Sequence, residues 1–156
     1  MKKNTLNRRD FSIKSAMGLA GIGLAVTSEA QPKEEAAIIA LLEKESATWR
    51  AGDKEAHAEC WQARPYSKIL ITTKDGQFLD IPVEVMLHPN PEIFGKGGRA
   101  ENSDYRFSIN GKSAWVSHKE VSYSPDGSSQ ESYEIRMLEK IKGQWKLVGQ
   151  SIHIIG

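Results

Sequence analysis

Four side chains in the C-terminal half of this chain could bind a ligand or do acid–base chemistry: His118, Glu134, Arg136 and His153. An imidazole titrates near neutral pH, and a carboxylate paired with a guanidinium can orient a polar ligand. Side chains two residues apart on a strand share a face, so Glu134 and Arg136 lie on the same side of one strand. The same spacing suits an ion pair on a solvated face, and the sequence leaves both interpretations open.

Alternation along the strands predicts which side chains accompany these four. In the segment from Ser113 to Tyr123, the face that carries His118 also carries Ala114, Val116 and Glu120. The other face carries Trp115, Ser117, Lys119, Val121 and Tyr123. In the last strand we predict that one face carries Trp145, Leu147, Gly149, Ser151 and His153. A shift of one residue in register would exchange the two faces of a strand.

Three turn signals divide the C-terminal half at nearly equal spacing: Asn110-Gly111, Pro125-Asp126-Gly127 and Lys142-Gly143. The segments between them are rich in Tyr, Trp, Val and Ile, which predicts a meander of long antiparallel strands. Helical patterning is confined to the preceding residues. The chain is therefore predicted to be an α+β domain in which helices cover one face of a single sheet.

The helices precede the meander. Pro32 suits a first helical turn, and the period of Ile38, Leu41, Leu42 and Trp49 predicts a helix that runs to about Arg50. Gly52 and Asp53 then supply a C-terminal cap and an N-terminal cap, which predicts a tight corner and a second helix containing the residues Ala56, His57, Cys60 and Trp61.

A short hairpin and a long loop are predicted to follow the second helix. Tyr66 to Thr73 and Phe78 to Ile81 are predicted as its two strands, joined by a turn at Asp75-Gly76. Residues 82–86 are predicted to start a further short helix. The stretch from His88 to Asp104 is rich in Pro and Gly, and it is either a solvated connection or a lid over a cavity that carries Phe94 and Arg99.

The order of these features resembles the nuclear transport factor 2-like superfamily, SnoaL-like branch. The matching features are the long helix with Trp49, the Gly52-Asp53 corner, the hairpin, and a meander ending in Glu134-x-Arg136 and Gly143-x-Trp145. The resemblance implies a cone, the cystatin-like roll, in which a strongly curved antiparallel sheet wraps around the N-terminal helices and encloses a cavity. It also implies a homodimer formed through the outer face of the sheet.

The resemblance also bears on the site. In related assembly domains the Glu-x-Arg pair points into the cavity, which implies the same for Glu134 and Arg136. The histidines that those domains carry on the following strand are replaced here by Gly149 and Ser151. A ligand shared with those domains therefore does not follow from the resemblance.

Residues 1–30 are predicted to be an export signal, and residues 31–156 the mature domain. Basic residues precede an apolar run from Ala16 to Val26, and Ser28-Glu29-Ala30 suits a signal peptidase. The segment around Arg8, Arg9 and Phe11 resembles a twin-arginine motif, although the general secretory route stays open. The apolar run is too short to span a bilayer, so we expect no stable membrane anchor. The predicted location is periplasmic or extracellular.

The charge of the mature domain bears on its partners. The chain has 21 basic and 20 acidic residues, and the leader holds five basic and two acidic ones, which leaves 16 and 18. A net charge of −2 argues against nucleic acid as a partner. Cys60 is the only cysteine, so no intrachain disulfide forms. The His and Cys residues lack the paired spacing of metal ligands, and no metal or other cofactor is predicted.

Two functions remain open at the level of sequence. The first is an exported module that binds a small apolar or amphipathic ligand, or assembles with itself, through the cavity. The second is a cofactor-free isomerase or dehydratase that uses acid and base side chains on the cavity wall, and neither its catalytic residues nor its activity can be assigned from sequence. The residues predicted to line the cavity are Trp61, Tyr66, His118, Glu134, Arg136 and His153.

Overall fold

The computed structural model describes residues 30–155, which form three helices and six strands. The helices are α1 (Ala30–Ala51), α2 (Lys54–Ala58) and α3 (Glu84–Leu87). The strands are β1 (Ile69–Thr72), β2 (Phe78–Ile81), β3 (Arg99–Asn110), β4 (Ser113–Tyr123), β5 (Ser129–Ile141) and β6 (Gln144–Ile154). The leader and its residues Arg8, Arg9 and Phe11 lie outside the described residues, so the export signal stays a prediction.

Helix α1 buries one stripe against the sheet. Its buried residues Ile38, Leu42, Glu45 and Ser46 follow the helical period, and a carboxylate stands among them. The helix ends at the predicted corner. Gly52 adopts a φ of 76°, in the left-handed region that favours glycine, and the Asp53 side chain accepts a hydrogen bond of 3.0 Å from the backbone of Ala56.

The six strands form one curved sheet in the order β2-β1-β6-β5-β4-β3. Strand β1 runs parallel to β6, and all other neighbours are antiparallel. The turns of the meander contain Gly111, Gly127 and Gly143, each with a positive φ. The predicted α+β architecture and the predicted meander are confirmed.

A hydrophobic core lies between the helices and the inner face of the sheet. It contains Ile38 and Leu42 from α1, together with Cys60, Trp61, Ile69, Val116, Leu138 and Leu147. Trp145 is also buried, and its indole N–H donates a hydrogen bond of 2.7 Å to Oε2 of Glu34. Helix α1 is thereby tied to the last strand by apolar packing and by a polar contact. No helix among residues 30–155 is long and apolar enough to cross a membrane.

A β-bulge in β6 overturns the face predicted for that strand. Leu138 pairs with Leu147 and Met137 with Gly149, so Val148 is an extra residue in the ladder. The alternation therefore changes phase at Val148. The prediction that His153 shares a face with Trp145 is wrong, because the even-numbered residues after the bulge face the helices.

Other element boundaries also differ from the prediction. Strand β1 begins three residues later than expected, because residues 64–67 close a turn in which the Ser67 hydroxyl accepts a hydrogen bond from the backbone N–H of Arg64. Strand β3 begins at Arg99, inside the predicted loop. Helix α2 ends at Ala58, so Cys60 and Trp61 both lie beyond it, and Trp61 forms an isolated bridge with Leu147.

Candidate functional site

A cavity of about 290 Å³ opens between α1, α3 and the inner face of the sheet. One part of its wall is apolar and consists of Trp49, Ile71, Ile81, Val85, Met86, Ile93, Ile152 and Ile154. The other part is polar and consists of Glu45, Ser46, Arg50, Glu120, Ser122, Gln130, Ser132, Glu134, Arg136 and Gln150. We call this second set the polar wall. Such a division suits a ligand with an apolar body and a polar group.

Arg136 is the centre of the polar wall and is 5% exposed. Its guanidinium forms an ion pair with Glu134 and donates a hydrogen bond to Gln150. Nη1 lies 3.6 Å from Oε2 of Glu45, and Nε donates to Nε2 of His118 over 3.4 Å. The guanidinium is therefore held by four protein side chains, and it joins α1 to β4, β5 and β6.

A second ion pair, largely buried, lies beside the first. Nη2 of Arg50 is 2.8 Å from Oε1 of Glu120 and donates a hydrogen bond of 2.6 Å to the Ser122 hydroxyl, which itself donates to Glu120. Burial by itself would raise the pKa of Glu120. The hydrogen bond from Ser122 and the charges of Arg50 and Arg136 outweigh this effect, so the pKa of Glu120 is lowered.

Glu45 differs from the other two carboxylates of the polar wall. It is 6% exposed, and its nearest cationic neighbour is Arg136, beyond hydrogen-bond distance. The indole N–H of Trp61 makes no hydrogen bond of normal geometry to Glu45. Burial dominates over the charge of Arg136, and the pKa of Glu45 is raised.

His57 stands behind Glu45. Its Nδ1 lies 3.2 Å from the backbone carbonyl of Glu45, an acceptor, which assigns the ring proton to Nδ1. Nε2 is then an unprotonated acceptor 3.8 Å from Oε1 of Glu45. Burial lowers the pKa of His57, so the ring is neutral at pH 7. A buried carboxyl group and a neutral imidazole thus face each other beside the cavity.

His118 is also buried and neutral. Its Nε2 accepts from Arg136, and its ring stacks on Tyr105 with centroids 5.3 Å apart. Burial, aided by the charge of Arg136, lowers the pKa of His118. His118 lies against the far side of the Arg136–Glu134 pair and supports it without lining the cavity.

The structure brings together three of the six residues predicted to line the cavity: His118, Glu134 and Arg136. Of these, Glu134 and Arg136 reach the cavity wall. Trp61 is buried in the core outside the cavity lining.

The structure corrects the placement of Tyr66 and His153. Tyr66 lies in the turn before β1, where it is 62% exposed and hydrogen-bonds to Glu139. His153 is exposed on the outer face of the sheet, because the bulge at Val148 reverses the alternation.

The loop between α3 and β3 contributes Ile93 to the apolar wall. Phe94 packs edge-on against Trp49 and His57, with ring centroids 5.2 and 5.6 Å apart. Arg99 stacks over the ring of Tyr123 at 3.8 Å and lies in β3. The loop thus borders the cavity through Ile93, a residue that the sequence analysis did not select.

Sequence reasoning missed Glu45, His57, Arg50 and Glu120 as members of the site. Glu45 follows Leu42 by three residues and precedes Trp49 by four, so it falls on the apolar stripe of α1. A carboxylate on such a stripe is the signal that could have found it. Glu120 was placed on the correct face of β4 but not selected. Within residues 30–155, no three His, Cys, Asp or Glu side chains form a group that could hold a metal ion.

Comparison with known proteins supports the fold of this chain but identifies no family. No family model matches the chain, and no curated protein matches it. Among solved structures, an NTF2-like protein of unknown function from Shewanella baltica OS155 is 16% identical, with a TM-score of 0.60 over 83% of this chain and 99% of that chain. An NTF2-like protein from Cytophaga hutchinsonii ATCC 33406 is 18% identical, with a TM-score of 0.61 over 78% of this chain and 98% of that chain.

A protein of unknown function with a cystatin-like fold, from Nostoc punctiforme, is 15% identical to this chain. Its TM-score is 0.61, and the match covers 78% of this chain and 91% of that chain. These three structures support the NTF2-like, cystatin-like fold predicted from the sequence. At such low identity the likeness establishes the fold and carries no function.

Proposed function

We propose that this protein is an exported module that binds a small amphipathic molecule in the cavity between α1, α3 and the sheet. The observation that carries the proposal is the division of one cavity into an apolar wall and a polar wall, seven of whose ten side chains are buried. We further propose that the chain belongs to the SnoaL-like branch, which the order of its sequence features supports.

The size and lining of the cavity define the ligand. Its volume of about 290 Å³ is close to the lower end of the ~300–1,000 Å³ typical of ligand pockets. At ~30 Å³ for each water-sized group, it has room for about ten non-hydrogen atoms. Three isoleucines, Ile71, Ile81 and Ile152, come from the adjacent strands β1, β2 and β6 and form a continuous apolar surface. A short hydrocarbon segment with one polar end matches this arrangement.

The proposal is tested with 1-octanol as a probe, by titration calorimetry on the purified domain. Val85 is half-buried on α3 and lines the cavity, whereas its neighbour Glu84 is exposed and does not. Val85→Phe should fill the apolar part of the cavity and weaken octanol binding at least tenfold. Glu84→Phe adds the same ring on the same helix and should leave binding unchanged.

Mass spectrometry of small molecules retained by the purified domain would identify the natural ligand directly. Octanol binding of equal strength in both variants would show that the probe binds elsewhere. No octanol binding to the wild-type domain, together with no retained molecule, would contradict the proposal.

A second candidate function is a cofactor-free isomerase or dehydratase, favoured by the pairing of Glu45 with His57. A buried carboxyl group with a raised pKa is a suitable general acid or base at neutral pH. As a base, the Glu45 carboxylate would take a proton from the carbon next to a substrate carbonyl and leave an enolate.

Deuterium exchange at these carbons of cyclohexanone in D₂O, followed by proton NMR, tests this step. Exchange that the wild-type domain accelerates and Glu45→Gln does not would favour catalysis. Equal exchange in both would remove the enzymatic hypothesis for this probe.

We also propose that the protein forms a homodimer through the outer face of the sheet. Trp115, Tyr133, Ile135 and Met137 are exposed there on the neighbouring strands β4 and β5. A contiguous apolar surface of this kind is typical of an interface. Sedimentation velocity should show a dimer for the wild-type domain and a monomer for Ile135→Glu. A wild-type monomer at high concentration would contradict this proposal.

A further inference from the structure

The charges of the polar wall are unequal in number. Three carboxylates, Glu45, Glu120 and Glu134, face two guanidiniums, those of Arg50 and Arg136. The two histidines nearest to them, His57 and His118, are uncharged at neutral pH because burial lowers the pKa of each. When all three carboxylates are ionised, the wall therefore carries one excess negative charge.

The geometry assigns that excess to Glu45. Glu120 forms an ion pair with Arg50, and Glu134 forms one with Arg136. The two groups nearest to the Glu45 carboxylate are Nη1 of Arg136, 3.6 Å from Oε2, and the unprotonated Nε2 of His57, 3.8 Å from Oε1. A nine-tenths-buried carboxylate on the wall of a cavity, without a hydrogen-bonding partner of its own, requires either a proton or a cation.

We infer that the cavity takes an organic cation, a small amine with an apolar chain, whose ammonium group pairs with Glu45 while the chain lies on the isoleucine surface. The inference rests on the proposed binding function and names its ligand class. An ammonium group is a donor only, and it would supply the hydrogen bonds that Glu45 lacks. The chain would extend toward Ile71 and Ile152.

The same geometry argues against an anionic ligand. Both guanidiniums donate to protein acceptors, so an anion would have to displace Glu120 or Glu134 from its partner. It would also approach a wall in which carboxylates outnumber guanidiniums. A fatty acid of the same length should therefore bind more weakly than the amine.

Binding of an amine should depend on pH through Glu45. The titratable and charged groups around Glu45 are His57 on α2, His118 and Glu120 on β4, and Glu134 and Arg136 on β5, with Arg50 on its own helix. Burial raises the pKa of Glu45, so Glu45 becomes protonated at a higher pH than an ordinary carboxylate does. The amine stays protonated throughout, because its pKa is near 10. Its affinity should therefore fall as the pH falls.

The test compares three probes of equal chain length, n-octylamine, 1-octanol and octanoate, by titration calorimetry at pH 7. For the wild-type domain we expect octylamine to bind at least tenfold more tightly than octanol, and octanoate to bind most weakly. Glu45→Gln removes the charge at constant shape and should abolish the preference for amine over alcohol. Glu43→Gln, an exposed position on the same helix, should preserve it.

The outcomes separate this inference from the proposed function. Octanol or octanoate binding as tightly as octylamine would overturn the inference of a cation and leave a ligand-binding cavity. No binding of any probe would overturn both. If Glu45→Gln does not fold, the wild-type domain still decides the matter. Octylamine affinity that stays constant from pH 7 to pH 4.5, while octanol affinity is also constant, would exclude Glu45 as the partner of the cation.

Discussion

Removal of the Arg136 side chain should show whether Arg136 belongs to a buried network or to a surface ion pair. Arg136→Ala leaves Glu134, 3% exposed, without its ion-pair partner and removes the guanidinium that lies 3.6 Å from Glu45. At an effective dielectric constant of ~20, a pair of charges at 4 Å is worth about 4 kcal/mol. Breaking a buried pair by removing one member typically costs ~3–5 kcal/mol, and we expect a loss of stability in this range.

Urea denaturation measures this loss. With a typical slope of ~1–3 kcal/mol per molar urea, a loss of ~3 kcal/mol moves the midpoint by about 1–3 M. The added change Glu134→Gln removes the stranded charge and should recover roughly 1–2 kcal/mol. Lys119→Ala is the matched control. It breaks the ion pair with Glu131 on the outer face, and we expect no measurable shift of the midpoint.

The two results together decide the argument. A loss below about 1 kcal/mol for Arg136→Ala would mean that water reaches the pair and that the polar wall is not buried. A full loss without recovery by Glu134→Gln would mean that Arg136 acts through its packing and its bond to Gln150, rather than through the charge of Glu134.

Three further predictions concern other parts of the chain. Both tryptophan changes are made in the monomeric Ile135→Glu variant, because Trp115 lies on the proposed dimer face. There Trp145→Ala should destabilise the domain by ~3–5 kcal/mol in urea denaturation, whereas the half-exposed Trp115→Ala should cost less than ~1 kcal/mol; equal losses would contradict the assigned faces. Arg8 and Arg9 replaced together by Lys should abolish twin-arginine export in a cell-fractionation assay and leave the fold intact, and unchanged export would indicate the general secretory route. Burial lowers the pKa of His118 from 6.5, so the contribution of His118 to stability should fall as the pH drops below 6.5, by up to about 1.4 kcal/mol per pH unit. His57 contributes in the same direction. The variant His118→Gln should therefore lose less stability than the wild type between pH 7 and pH 5, and an equal loss would contradict this assignment.

The architecture and two of the sheet faces could be predicted from the sequence because their signals are local. Turn glycines mark the hairpins, and regular alternation in β4 and β5 places His118, Glu134 and Arg136 on the inner face. Such signals depend on a few adjacent residues. They require no knowledge of which elements meet in space.

The remainder of the site could not be predicted because it depends on contacts between distant elements. Glu45 and Arg136 are 91 positions apart in sequence, and only the docking of α1 on the sheet brings them within 3.6 Å. The bulge at Val148 has no strong sequence signal of its own. Because it reverses the alternation of β6, His153 lies on the outer face. Tyr66 was assigned to a strand by propensity, but the side chain of Ser67 closes a turn there instead.

The bulge also determines how β6 responds to a change in length. Val148 is the extra residue, so its deletion would let β6 pair with β5 without interruption, with Leu147 opposite Leu138 and Gly149 opposite Met137. Gln150, Ile152 and Ile154 would still face the cavity. Strand β4 pairs without interruption along β5, and loss of one residue there would exchange its buried side chains for its exposed ones. Strand β6 can therefore lose one residue during evolution without any change in the side chains that it presents to the cavity.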